Sequence, residues 1–130
     1  MTNIERIPDE DSLFRTISHK LYLQENLTET EIPKAAIRLG NDEKGMSVDW
    51  SKYSTAEESQ ERKSETHGVI SWVVKLVREI EAGVLTVEHQ PNGENRAHSL
   101  IIPSLRDKRT WKRIRTYLMR MAKIEITPSL

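Results

Sequence analysis

The sequence contains no cysteine, and this absence excludes several kinds of site. Disulfides, zinc sites with thiolate ligands, iron–sulfur clusters and a cysteine nucleophile all require sulfur from the chain. No stretch approaches the ~18 consecutive apolar residues of a membrane-spanning helix, and the segment MTNIERIPDEDS lacks the basic and then apolar layout of a signal peptide. We therefore expect a cytoplasmic protein with no membrane partner.

Common catalytic motifs are also missing. The chain has no GxxxxGK[ST], GxGxxG or GxSxG pattern, so nucleotide-driven work and acyl hydrolysis lack their usual sequence support. It has no HExxH pattern and no histidine-rich element that would complete a set of about four zinc ligands. We expect no metal and no cofactor.

The chain is 130 residues long, which corresponds to one ordinary domain. Hydrophobic residues make up 36% and charged residues 31% of it, with a mean hydropathy of −0.63, so the core should be lean. Residues 1–12, which include Pro8 and an acidic run, are predicted to be a flexible lead-in. Residues 13–123 should form the domain, and residues 124–130 a tail.

The local patterns predict an α+β fold with a small, mostly antiparallel sheet, two short helices and a long basic C-terminal helix. Residues 13–23 favour a strand over a helix, and Met46 to Trp50 alternate as a half-buried strand does. Ser54 and Thr55 offer two overlapping capping boxes for a helix that runs to about residue 63. Strands are also predicted at 68–72, 85–89 and 99–102, the last two joined by a turn at 91–95.

The C-terminal helix, predicted over residues 105–122, concentrates positive charge. Residues 104–130 carry eight basic and two acidic groups, whereas residues 1–103 carry twelve basic and eighteen acidic groups. An apolar arc with Trp111, Ile114 and Leu118 should dock on the sheet. The other face predicts contacts with nucleic acid or an anionic partner, or docking on the acidic body of the same chain. The candidate binding residues are Arg106, Lys108, Arg109, Lys112, Arg113, Arg115 and Arg120.

The segment VEHQPNGENRAH places His89, Asn95 and His98 within ten positions. Two histidines beside a basic group such as Arg96 could act as base and acid in a metal-independent ribonuclease. This requires both rings to face a common cleft. The favoured interpretation is structural, with Asn95 holding the turn and the histidines bonded to buried carbonyls or a partner. Asp49 is interpreted as a cap or salt-bridge partner rather than a catalytic acid.

A set of segments in the order LFRTI, GMSVD, TAEES, GV, VEHQP and NRAH runs from about Leu13 to Ile102. This order resembles a family of small bacterial proteins with an "LSVD" strand and a "VxHxPxxxNxAH" segment, for which no activity is assigned. The resemblance implies a bacterial source and makes His89, Pro91, Asn95 and His98 the residues of interest. Proteins of this type are plausible components of defence or toxin-control systems.

We predict a non-catalytic binding or regulatory module that acts with a protein partner in a larger bacterial assembly. One alternative is nucleic-acid binding by the basic helix, which would weaken steeply with added salt. Another is the ribonuclease that uses His89 and His98, with Asn95 beside them.

Overall fold

The computed structural model describes residues 3–28, 30–39 and 44–129. In them, the strands are β1 (Ser12–Ile17), β2 (Met46–Trp50), β3 (Gly68–Val73), β4 (Leu85–His89), β5 (His98–Pro103) and β6 (Lys123–Ile126). The helices are α1 (His19–Glu25), α2 (Ala56–Glu61), α3 (Val74–Glu79) and α4 (Lys108–Met121), with 3-10 turns at Lys34–Ala36 and Ile80–Ala82. The strands form one sheet in the order β4-β5-β2-β1-β3-β6, and all neighbours are antiparallel. The predicted α+β class is confirmed, with three short helices instead of two.

One face of the sheet is covered by α4. Leu13 is paired with both Trp50 and Trp72 across the ladders, so the three side chains lie on the same face, and each is at most 1% exposed. Ile114 and Leu118 of α4 are fully buried in the same cluster. The indole N–H of Trp72 also donates to the carbonyl of Leu118 at 2.8 Å. The apolar arc of α4 therefore docks on the sheet as predicted.

The opposite face carries α2. Of the two possible capping boxes, the structure uses Thr55 with Glu58, each side chain bonding the other residue's backbone N–H. Ser59 is buried beneath the helix, and its hydroxyl donates to the side chain of Asp49 on β2. This helix ends at Glu61, two residues earlier than predicted.

The strand predicted over residues 13–23 is wrong in its second half. The chain forms β1 and then α1, which begins after Ser18, whose side chain accepts a hydrogen bond from the N–H of Lys20. Tyr22 is buried in the core, whereas Leu23 is exposed. An irregular strand and a short helix can both bury one of two neighbouring residues and expose the other. Asn26 ends the helix in the left-handed region at φ 53°.

The ends of the chain also differ from the prediction. Helix α4 begins at Lys108, three residues later than predicted, after the cap Asp107, whose carboxylate accepts from the N–H and the hydroxyl of Thr110. Strand β6 pairs with β3 where a tail was expected from residue 124. Within the expected lead-in, Ile7 is 1% exposed and belongs to the core.

Candidate anion-binding cleft

The central strands β1 and β2 separate soon after they meet. Their ladder ends at the pair Phe14–Asp49, although β1 continues beyond it. Arg15 follows the last pair, and its guanidinium group takes up backbone acceptors there. Nη1 donates to the carbonyl of Ser47 at 2.6 Å, and Nε donates to the carbonyl of Ala36 at 2.6 Å. A charged side chain on β1 thus satisfies backbone acceptors of β2 and of the 3-10 turn Lys34–Ala36 at the point where the two strands separate.

A cleft of about 770 Å³ opens where these strands separate. It is bounded by β1, β2, α1, the first 3-10 turn, the segment around the end of α2, and the turn between β4 and β5. Among the described residues that line it, lysines and arginines outnumber carboxylates. The cations are Arg15, Lys20, Arg38, Arg62 and Lys63, and the carboxylates are Asp49 and Glu94. A concave surface with excess positive charge attracts anions.

Asp49 joins three parts of the cleft. One carboxylate oxygen accepts from the Ser59 hydroxyl at 2.7 Å and from the Arg62 guanidinium at 2.9 Å, and the other accepts from the Asn95 amide at 2.8 Å. Burial raises the pKa of Asp49, but the hydrogen bonds from Arg62, Ser59 and Asn95 and the charge of Arg62 outweigh it and leave the pKa below its ordinary value of 3.8. Asp49 is therefore ionised at neutral pH, and its prediction as a salt-bridge partner is confirmed.

His98 lies in the cleft with one ring nitrogen fixed by the backbone. Nδ1 is 2.8 Å from the carbonyl of Gln90, and because a carbonyl only accepts, Nδ1 carries the proton. In the neutral ring, Nε2 then holds a lone pair, and it lies 3.3 Å from the hydroxyl oxygen of Ser47. The Ser47 hydroxyl donates to this nitrogen.

His89 has a structural position. It is 1% exposed and packs against the rings of Trp50 and Tyr53. Its Nδ1 accepts from the N–H of Glu5 at 3.0 Å, and its Nε2–H donates to the carbonyl of Arg96 at 2.7 Å. Both nitrogens are thus used by the backbone, which agrees with the structural interpretation of this histidine.

The two histidines lie on opposite faces of the sheet. His89 is opposite Ser99 in the β4–β5 ladder, whereas His98, the preceding residue on β5, is opposite Asp49. Successive side chains of a strand point to opposite faces. The rings therefore face no common cleft, and the ribonuclease that would use them as base and acid lacks its required geometry.

Two other residues of the β4–β5 turn, Asn95 and Arg96, contact the surroundings of different histidines. Asn95 holds the turn, since its Oδ1 accepts from the N–H of Ala97 at 3.0 Å while its amide reaches Asp49. Arg96 lies instead over the ring of Tyr53, 4.0 Å from its centroid. The structure thus brings Asn95 and His98 together and places Arg96 with His89.

The basic residues of the C-terminal segment have several different environments. Arg113 forms a forked pair with Glu81, at 2.6 and 2.9 Å, and Arg115 is half-buried. The remaining cations are exposed, and these are Arg106, Lys108, Arg109, Lys112 and Arg120. The predicted basic face is therefore present, and Arg113 in it is held by Glu81 of the acidic body of the chain.

Sequence analysis assigned no role to several residues of the cleft, among them Arg15, Ser47 and Arg62. Arg15 and Ser47 lie on β1 and β2, and Arg62 lies just after the short α2. A charged residue between the core positions Leu13 and Ile17 was an available signal for Arg15. Ser47 lies in the GMSVD segment, but that pattern indicates no role for it, because its contact with His98 joins residues distant in sequence.

The comparisons with known proteins add no relatives. No family profile, curated protein or solved structure matches the chain. No helix in the described part of the chain is long and apolar enough to cross a membrane. Across the same residues, histidine and carboxylate side chains form no group of three or more that could hold a metal ion.

Proposed function

We propose that the protein is a binding module that holds an anionic ligand in the cleft between β1 and β2. The observation that carries the proposal is the excess of cations among the described residues that line a concave, polar site. Asp49 is already neutralised by Arg62 in a 2.9 Å ion pair, so this carboxylate does not cancel the remaining cations. The ligand is expected to carry carboxylate or phosphate groups.

Three cations at the rim of the cleft support this proposal, namely Lys20, Arg38 and Lys63. All three line the cleft and are exposed, and none forms an ion pair with another residue that the structure describes. Exposed cations attract an anion without first breaking an internal pair. Below them, Arg15 and Arg62 are held in place by hydrogen bonds to the sheet and to Asp49.

The test is a calorimetric titration of the full chain with three probes at low and high salt. The probes are inorganic tripolyphosphate, a short oligoglutamate peptide and a short single-stranded oligodeoxynucleotide, which separate small phosphates, acidic peptides and nucleic acid. A triple variant, Lys20→Glu with Arg38→Glu and Lys63→Glu, should weaken the best probe at least about tenfold, the equivalent of ~1.4 kcal/mol.

The matched control is Lys108→Glu with Arg109→Glu and Lys112→Glu, which makes the same change of charge on α4. The proposal requires this helix variant to retain most of the affinity. Equal losses in the two variants would mean a diffuse electrostatic effect, and no binding of any probe at low salt would refute the proposal.

A second candidate function is nucleic-acid binding by α4. Lys108, Arg109, Lys112 and Arg120 are exposed, and none of the four is in an ion pair within the described residues. In this case the oligonucleotide alone would bind, its affinity would fall steeply with salt, and the helix variant would abolish binding. The cleft variant would then serve as the control.

The wider setting of the proposal is a protein partner in a bacterial, cytoplasmic assembly. The sequence resemblance supports this setting. Preferred binding of the oligoglutamate peptide over tripolyphosphate would support a partner that presents an acidic segment.

A further inference from the structure

Ser47 and His98 form a pair that binding alone does not require. The carbonyl of Gln90 fixes the proton on Nδ1 of His98, and Nε2 lies 3.3 Å from the Ser47 hydroxyl oxygen. A serine is activated when one nitrogen of a base receives the hydroxyl proton and the other nitrogen of that base is held by a third group. Both side chains line the cleft and are partly exposed.

The surroundings of the pair carry charges of both signs. Asp49 is directly opposite His98 in the β2–β5 ladder, so the two Cβ atoms are about 4.5–5.5 Å apart. Its ionised carboxylate favours the imidazolium ion that forms when His98 takes a proton. The Arg15 guanidinium lies 2.6 Å from the carbonyl of Ser47 and adds positive charge near the hydroxyl.

We propose that Ser47 is a nucleophile and His98 its general base, and that together they hydrolyse an ester bond in an anionic substrate. This inference rests on the proposed function only in that the substrate is anionic, and it departs from the non-catalytic interpretation of the sequence. The absence of a GxSxG motif means that geometry alone identifies this pair.

The reaction balances with water as the only co-reactant. The Ser47 oxygen attacks the ester carbonyl carbon while its proton moves to Nε2 of His98, and the alcohol leaves with that proton as the C–O bond breaks. Water then gives a proton to Nε2 and attacks the acyl carbon. The bond to the Ser47 oxygen breaks, the serine regains a proton, and a carboxylic acid is released.

The first test treats the full chain with a biotinylated fluorophosphonate, which reacts with activated serines, and maps the adduct by mass spectrometry. One adduct on Ser47 is expected. Ser47→Ala should abolish it, and His98→Gln should slow it by about a hundredfold or more. Ser104→Ala, an exposed serine next to β5, is the control and should leave labelling unchanged.

A pH readout covers the case in which His98→Gln does not fold. Labelling of the unaltered chain should slow in acid, because a protonated imidazole accepts no proton. Labelling that is independent of pH, that persists in Ser47→Ala, or that is absent from Ser47 would overturn the proposal.

A second test separates catalysis from binding. The unaltered chain should hydrolyse mono-4-nitrophenyl succinate, which carries a free carboxylate, faster than 4-nitrophenyl acetate. The variant Lys20→Glu/Arg38→Glu/Lys63→Glu should lose this preference while Ser47 still reacts with the fluorophosphonate. If Ser47→Ala binds tripolyphosphate normally and the unaltered chain neither labels nor hydrolyses, the catalytic proposal fails and the binding proposal stands.

Discussion

The side-chain amide of Asn95 donates to the carboxylate of Asp49 at 2.8 Å, although 46 positions separate the two residues. This bond ties the β4–β5 turn to the centre of the sheet. Arg62 and Ser59 reach the same carboxylate from the other side of the cleft. One ionised group therefore holds two walls of the proposed binding site.

Removal of the Asn95 amide should loosen the turn. Asn95→Ala leaves Asp49 short of one donor and the N–H of Ala97 without its acceptor, so we expect a loss of about 1–3 kcal/mol in the free energy of unfolding. Urea denaturation measures it. Gly93→Ala in the same turn is the control, because nothing lies within 4 Å of the added methyl group, and it should stay within about 0.5 kcal/mol. Equal effects of the two changes would contradict this role of Asn95.

The lowered pKa of Asp49 predicts a pH-dependent contribution to stability. A carboxyl whose pKa is lower in the folded chain stabilises the fold at pH values above its ordinary value of 3.8 and loses this contribution as pH falls through the folded pKa. Asp49→Asn should therefore reduce stability most near neutral pH, and the difference from the unaltered chain should shrink below about pH 4. Thermal unfolding across this range measures the difference. A constant difference at all pH values would argue against an ionised, hydrogen-bonded Asp49.

Buried His89 should be important for folding and not for the cleft. His89→Leu leaves the N–H of Glu5 and the carbonyl of Arg96 without partners, and each such group costs ~1–3 kcal/mol, so we expect a loss of about 2–6 kcal/mol. His19→Leu is a matched control on α1, where the ring stacks on Tyr22 and forms no side-chain hydrogen bond with another described residue, and it should cost less than about 1 kcal/mol. Chemical denaturation compares them. Loss of ligand binding without loss of stability in His89→Leu would contradict this assignment.

Because α4 docks on the sheet, substitutions at two adjacent residues of this helix should have different effects on the free energy of unfolding. Leu118→Ala creates a cavity in the core and should destabilise the protein by about 2–5 kcal/mol. Tyr117 is 38% exposed, so Tyr117→Ala should cost about 0.5 kcal/mol or less. Similar unfolding midpoints for the two variants would mean that α4 does not cover the sheet as described.

Local patterns predicted most of the elements because their signals are local. Strand β2 follows from the alternation of Met46, Val48 and Trp50, and the position of α2 from its capping residues. Residues 19–23 were predicted as part of a strand because the apolar spacing over residues 13–23 suits either a strand with irregularities or a short helix. Strand β6 was missed because it is short and gains its order only from pairing with β3.

The residues of the cleft were harder to predict, because their proximity depends on which residues of neighbouring strands are paired. Asn95 and His98 were identified as candidates, but the opposite orientation of His89 follows only from its pairing with Ser99. The proposed role of Ser47 depends on its contact with His98, 51 positions away. The role of Arg15 depends on where the β1–β2 ladder ends, and that position cannot be predicted from a single segment of the sequence.

The most direct test of the account locates the ligand on the protein. Tripolyphosphate is added to the ¹⁵N-labelled full chain, and amide shifts are followed by NMR. We expect shifts at residues 14–16, 20, 38, 47–49, 62, 63, 67, 94, 95 and 98, which line the cleft. Shifts confined to residues 106–120 would contradict the account and assign anion binding to α4.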